Sequence, residues 1–139
     1  MKIVRGLLSA TLLASIVFGT WILATDMWLW NAAPTHAYGL IVFVLFDLAL
    51  LAANWNRARL ATLGALLVAT IQFVAMLSDT TAGMPSGVTS VGFRNYLLMD
   101  TSFSSLLVVQ GVIVFFAAGS LFVPLFHGHR LTLFHTKKH

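Results

Sequence analysis

The chain has no cysteine and no glutamate, and only 9% of its 139 residues are Asp, Glu, Lys or Arg. Without cysteine it forms no disulfide, no thiolate zinc site, no cysteine-ligated iron-sulfur cluster and no covalently attached c-type haem. Any redox cofactor would need His, Met or carboxylate ligands. The scarcity of charge excludes a water-exposed globular domain, in which about a quarter of residues are charged. Also absent are a P-loop, a GxGxxG turn, a zinc-protease helix, an arguable Ser-His-Asp triad and the Arg series of a voltage sensor. No second histidine sits at an opposing depth in the apolar stretches, so a bis-His haem held within this chain is not expected. Catalysis by the chain alone therefore has no support in its motifs.

What is present is apolar surface. Hydrophobic residues make up 59% of the chain and its mean hydropathy is +0.92, which points to lipid as the solvent. Four apolar stretches run Gly6 to Thr25, His36 to Asn54, Ala61 to Leu77 and Phe103 to Phe126. Each is near the roughly 20 helical residues needed to cross about 30 Å of hydrocarbon. They lack the alternation of strands, and an open sheet edge is forbidden in lipid. The expected fold is all-α, a single four-helix transmembrane domain in an up-down antiparallel bundle.

Threading the chain through four crossings puts Lys2, Arg5, Arg57, Arg59, Arg130, Lys137 and Lys138 on one side and only Arg94 on the other. That asymmetry predicts a multi-pass cell-membrane protein with both termini cytoplasmic. The basic residues read as topology signals that face lipid headgroups or a partner, and no nucleic-acid role is expected. Trp21, Trp28, Trp30 and Tyr38 fall near the outer interface and Trp55 near the inner one, as aromatic anchors do. Lys2 and Arg5 before an apolar run resemble a signal peptide, but the run is about 20 residues, longer than the 7–15 of a signal, and reads as a retained helix.

Three connections are expected. Asp26 to Pro34 forms an outer loop, after which Thr35 stands ready to cap the second helix. Trp55 to Leu60 forms a short inner turn. The outer segment 79–102 begins as loop and ends as either an interfacial helix or an early start of the last span. Because lipid gives no hydrophobic drive to helix association, small residues mark contact faces. These are Thr11, Ser15 and Gly19 in the first span, Ala61, Ala65 and Ala69 in the third, and Ser104, Gly111 and Ala118 in the fourth.

Asp47 is the most informative residue, since a charged group within the run LIVFVLFDLALL costs at least about 2.5–3.5 kcal/mol. Either a proton-relay or ion-coordinating carboxylate, or a neutral hydrogen-bonded acid that fixes helix packing, would answer that cost, and packing is the commoner arrangement. His36 precedes it by 11 residues, within about 20° of three full turns, and Asn54 follows by seven, so a polar stripe should run down one helix face. His36 reads as a haem, quinone or metal contact, or more simply as an interfacial histidine bonded to headgroups, loop or partner. Gln72 and Gln110 are single amides suited to bridging helices toward Asp47 or His36, or to holding a quinone or other polar ligand.

Asp26, Asp79 and Asp100 read as solvated loop carboxylates, since their spacing matches no metal motif. The tail His127, His129, Arg130, His135 and His139 lacks the spacing of a helical metal pair and reads as headgroup- or partner-facing. No metal site is expected.

Little extramembrane mass, intramembrane polar residues without a catalytic set, and small-residue faces together predict a non-catalytic subunit of a larger membrane assembly, a respiratory or other redox complex. Such a chain would bind no cofactor alone and would at most touch a partner's quinone or haem. Two alternatives stand beside it. One is a small proton or cation transporter or channel subunit using Asp47 and His36. The other is an enzyme subunit contributing His36 to a quinone, haem or metal site.

Overall fold

The structure, a computed structural model, describes residues 2–133, with side chains described for residues 3 and 5–121. Among the described residues its regular secondary structure is helical: α1 (Lys2–Thr25), α2 (Met27–Ala32), α3 (Pro34–Asn56), α4 (Ala58–Ala82), α5 (Ser90–Met99) and α6 (Thr101–Leu133). Four of them contain segments long and apolar enough to cross a membrane, Arg5–Thr25, Pro34–Asn56, Ala58–Ala82 and Thr101–Leu121. They pack antiparallel in the cyclic order α1, α3, α4, α6. The bundle has two ends of different content. One is the Arg57 end, the other the α2–α5 end.

The breaks between helices have local causes. Asp26 ends α1 and caps α2, its carboxylate accepting from the Leu29 N–H at 3.0 Å. Pro34 then opens α3 at a position where a missing N–H costs nothing. Ala33 is the residue before the first turn, and no side chain caps α3, so the expected Thr35 cap does not form. Thr35 is displaced into the first turn because Pro34 has already started the helix. The turn between α3 and α4 is one residue, Arg57, tighter than the expected Trp55 to Leu60 turn.

Helix α4 continues to Ala82, beyond the expected Leu77, and stops at Gly83, whose φ of +81° is left-handed. A Cβ there would lie 2.6 Å from the Val88 carbonyl oxygen, so glycine is required on space as well as on φ. Thr89 caps α5 by accepting from the Gly92 N–H at 3.1 Å. Asp100 starts α6 by accepting from the Ser102 and Phe103 N–H groups at 2.8 and 3.0 Å. The segment 79–102 thus holds a separate helix, divided from α6 by a capping carboxylate. The expected outer loop between the first two spans likewise contains a helix, α2.

Burial follows steps of three, four or seven residues along each long helix. Buried positions are Leu8, Leu12, Ser15 and Ile22 on α1; Ala37, Leu40, Val44, Asp47 and Asn54 on α3; Ala61, Ala65, Ala69, Gln72, Met76 and Asp79 on α4; and Phe103, Leu106, Gln110, Ile113 and Ala117 on α6. That repeat suits helices crossing at about 20° with side chains interdigitated. The outward faces carry large apolar residues such as Leu45, Phe46, Leu67, Ile71 and Phe115, as lipid contact requires.

Small residues set the helix spacing at two crossings. A Cβ on Gly19 would lie 2.6 Å from Val44 Cγ2, bringing α1 and α3 together, and one on Gly111 would lie 3.2 Å from the Phe73 ring of α4. Thr11 flanks the α1 contact face and returns its hydroxyl to the Leu7 and Leu8 carbonyls. On α6 the buried register runs one residue ahead of the expected stripe. Ala117 is buried while Ala118 is half-exposed, and Ser104 bonds the Leu97 carbonyl of α5. Large Phe103, Leu106 and Ile113 fill that face, so the small-residue spacing alone misplaces the helix rotation by one position.

Arg57 and Arg59 are exposed at the Arg57 end. Helix α6 extends past the expected Phe126 to Leu133, so His127, His129 and Arg130 belong to a helix. Their side chains, and that of Lys2, lie outside the described set. Lys137, Lys138, His135 and His139 lie outside the described residues altogether.

Candidate functional site

The side-chain hydrogen bonds between the four long helices fall in three places. At mid-bundle, Ser15 of α1 donates its hydroxyl to Asp47 Oδ2 of α3 at 2.5 Å and accepts from Gln110 Nε2 of α6 at 2.6 Å. All three side chains are sealed, with exposures of 1% for Ser15, 2% for Asp47 and 0% for Gln110. One hydroxyl therefore ties three helices. Each bond gives a partner to a buried polar group that hydrocarbon would leave without one.

Nearer the Arg57 end, Asn54 of α3 donates from Nδ2 to the Arg5 carbonyl and to Ser9 Oγ of α1, at 3.1 and 2.9 Å. Asp47 and Asn54 thus both address α1.

His36 does not continue that pattern. Its Nε2 lies 3.1 Å from Asp79 Oδ2 on α4, and its Nδ1 is 3.5 Å from Thr35 Oγ1. The expected stripe of His36, Asp47 and Asn54 is split, its first member turned to α4 and the other two to α1. Asp79 is not a solvated loop carboxylate. It occupies the last turn of α4 and is buried against the imidazole.

Asp26 is not solvated either. It caps α2 and accepts the Tyr96 hydroxyl, while Tyr96 stacks on Trp28 with ring centroids 4.1 Å apart. Trp30 donates its indole N–H to the Leu23 carbonyl at 2.9 Å and meets Tyr38 edge-on. These aromatics build a cap of α2 and α5 over the bundle, with Trp21, Tyr38 and Trp55 left exposed as interface anchors would be. Asp100 is spent on the start of α6. Sequence reasoning missed these three carboxylates because helix-capping and cross-bundle partners are set by the connections, which were read as irregular.

Burial pushes the Tyr96 phenol above its ordinary value of 10.0, with the Asp26 hydrogen bond and the charges of Asp26 and Asp100 adding to the effect. Tyr96 therefore stays neutral in the folded chain at pH values where it ionises in the unfolded one. The unfolded state then binds fewer protons, so stability falls as pH rises. The α2–α5 cap should keep its full stability below about pH 10 and lose it above. Tyr96→Phe should flatten that alkaline loss, measured as thermal unfolding in detergent across the range.

Between α3, α4 and α6, toward the α2–α5 end, lies a cavity of about 320 Å³. Leu40, Phe43, Met76, Phe103 and Leu106 make its apolar wall, and its polar groups are Thr35, His36, Asp79 and Gln72. The Gln72 side chain is 3% exposed and its Oε1 has no hydrogen-bond partner. No group of three or more potential metal-ligating side chains occurs among the described residues. Compared with known proteins, the chain matches no family model, no curated protein and no solved structure.

Proposed function

We propose that this chain is a non-catalytic integral membrane subunit of a larger complex, a respiratory or other redox assembly, in which it stabilises the arrangement of helices. The observation that carries the reading is the Gln110–Ser15–Asp47 chain. The one carboxylate at mid-bundle is bonded to a neighbouring helix and sealed from the cavity, an arrangement that suits helix attachment. A proton or cation path through Asp47 and His36 is disfavoured by the same geometry, since the two side chains are bonded to different helices. Long outward apolar faces supply area for neighbouring subunits as well as for lipid. Cytoplasmic termini are part of the proposal, supported by Arg5, Arg57 and Arg59 at one end of the bundle against Arg94 at the other.

Gentle detergent extraction, followed by identification of co-purifying chains, tests it. Wild-type chain should come out with other integral membrane subunits, and Asp47→Leu should reduce that yield while leaving the turnover of whatever complex does assemble near wild type. Normal assembly with abolished activity would overturn the reading in favour of a relay.

A further inference from the structure

We infer that the cavity between α3, α4 and α6 is a binding site for a membrane quinone or its quinol. A buried amide oxygen with no partner is costly and rare, and Gln72 Oε1 is one, on a side chain that lines the cavity. Asp79 lies seven residues further along α4, two turns away on the same face and about 10 Å along the axis. His36 meets Asp79 at that level from α3. The cavity therefore has hydrogen-bonding groups at both ends and apolar walls between them.

A six-membered ring with oxygens at opposite positions, making a hydrogen bond of about 2.8 Å at each, fits that span. Both redox forms are served. A carboxamide donates to a carbonyl or accepts from a hydroxyl; at the other end His36 Nε2 and Asp79 Oδ2 are spent on each other, so the second Asp79 oxygen accepts from a hydroxyl and the cavity-lining Thr35 hydroxyl donates to a carbonyl. The ring itself is matched by Phe43 and Phe103, which supply aromatic edges and faces on the wall. The volume of about 320 Å³ is at the small end for a ligand site, enough for a head group but not for a long tail.

The route for the tail is marked by small residues. Gly39 of α3 and Ala75 of α4 line the cavity, and a Cβ built on Gly39 meets nothing within 4 Å. Ala75 and Thr35 are exposed on the outside of the same wall, so the cavity opens sideways toward lipid between α3 and α4. A ligand that enters there comes from the bilayer, with its isoprenoid or alkyl tail remaining among acyl chains. The pocket lies wholly within this chain, so its occupancy and the assembly proposed above stand or fall separately.

The test uses purified full-length chain in quinone-free nanodiscs, titrated with decylubiquinone and its reduced form, with tryptophan quenching as the readout. Wild type should quench saturably. Gln72→Leu removes the unpaired amide from an apolar wall, so it should leave thermal stability equal or higher while weakening binding by about tenfold or more. Gly39→Leu projects into open space, so it should fold and close the entrance, with loss of saturable quenching. Loss in whichever variant keeps the wild-type helical spectrum supports the site. Linear quenching by wild type, unchanged saturation in both variants, or full displacement of the quinone by decanol, which has the tail but no ring, would each overturn it.

Discussion

Ser15→Ala should lower the unfolding free energy of the bundle by about 1–3 kcal/mol, a large loss for the removal of one oxygen atom. The substitution keeps the helix and nearly the volume, and alanine is the better helix former. What it removes is a hydroxyl that serves two partners, the carboxyl of Asp47 and the amide of Gln110. Both are then left buried without each other, since the serine oxygen was the atom between them. The lower part of the range applies because a chain unfolded within a membrane also finds partners for its polar groups. Reversible unfolding in mixed micelles measures the change. Gln110→Leu provides the contrast: it removes a group whose Oε1 is already unpaired, so it should cost less than Ser15→Ala.

Phe93→Ala should cost more, about 3–5 kcal/mol. Phe93 is fully buried on the short helix α5 and packs edge-on against Phe103, with its ring centroid 5.9 Å away. It belongs to the same cluster as Leu29, Ala33 and Met84, which joins α2, α5 and the ends of the spans. A ten-residue helix is not stable alone in water, so its docking depends on that side chain. The loss should be local before it is global. Amide hydrogen exchange should accelerate in α2 and α5 while α1 and α4 keep their protection, whereas equal acceleration throughout would show that the cap and the bundle unfold as one unit.

The four spans were legible in the amino-acid sequence because burying backbone in lipid leaves long apolar helices as the main solution. Their inner faces were legible in part. Ala61, Ala65 and Ala69 share the buried face of α4 with Gln72, since small residues at four-residue steps mark close approach. On α6 the same reasoning chose Ala118, where bulky Phe103, Leu106 and Ile113 set the rotation by filling space.

The pairing of His36 with Asp79 had a signal in the numbering. They stand 21 residues before and 22 after Arg57, so an antiparallel hairpin turning there brings them level. Reading Asp79 as loop concealed it. The Ser15–Asp47 contact follows the same arithmetic across the first hairpin, where Gly19 and Val44 also meet. Gln110 had no such signal, because α6 reaches α1 by closing the bundle and no turn fixes the relation of the two helices. The α2 helix was concealed for another reason, and the α5 helix was legible only as one of two alternatives for the end of segment 79–102. They are short, and their ends are set by Asp26, Thr89 and Asp100 acting as caps, residues equally at home in irregular loops.

A double-mutant cycle between Ser15→Ala and Asp47→Leu, carried out by reversible unfolding of the full chain, tests most directly whether the mid-bundle acid is spent on holding helices together. The expected coupling is about 0.6–1.7 kcal/mol, with the double variant recovering part of what the single changes lose. Strict additivity would show that the serine hydroxyl and the carboxyl do not meet, and would contradict the account.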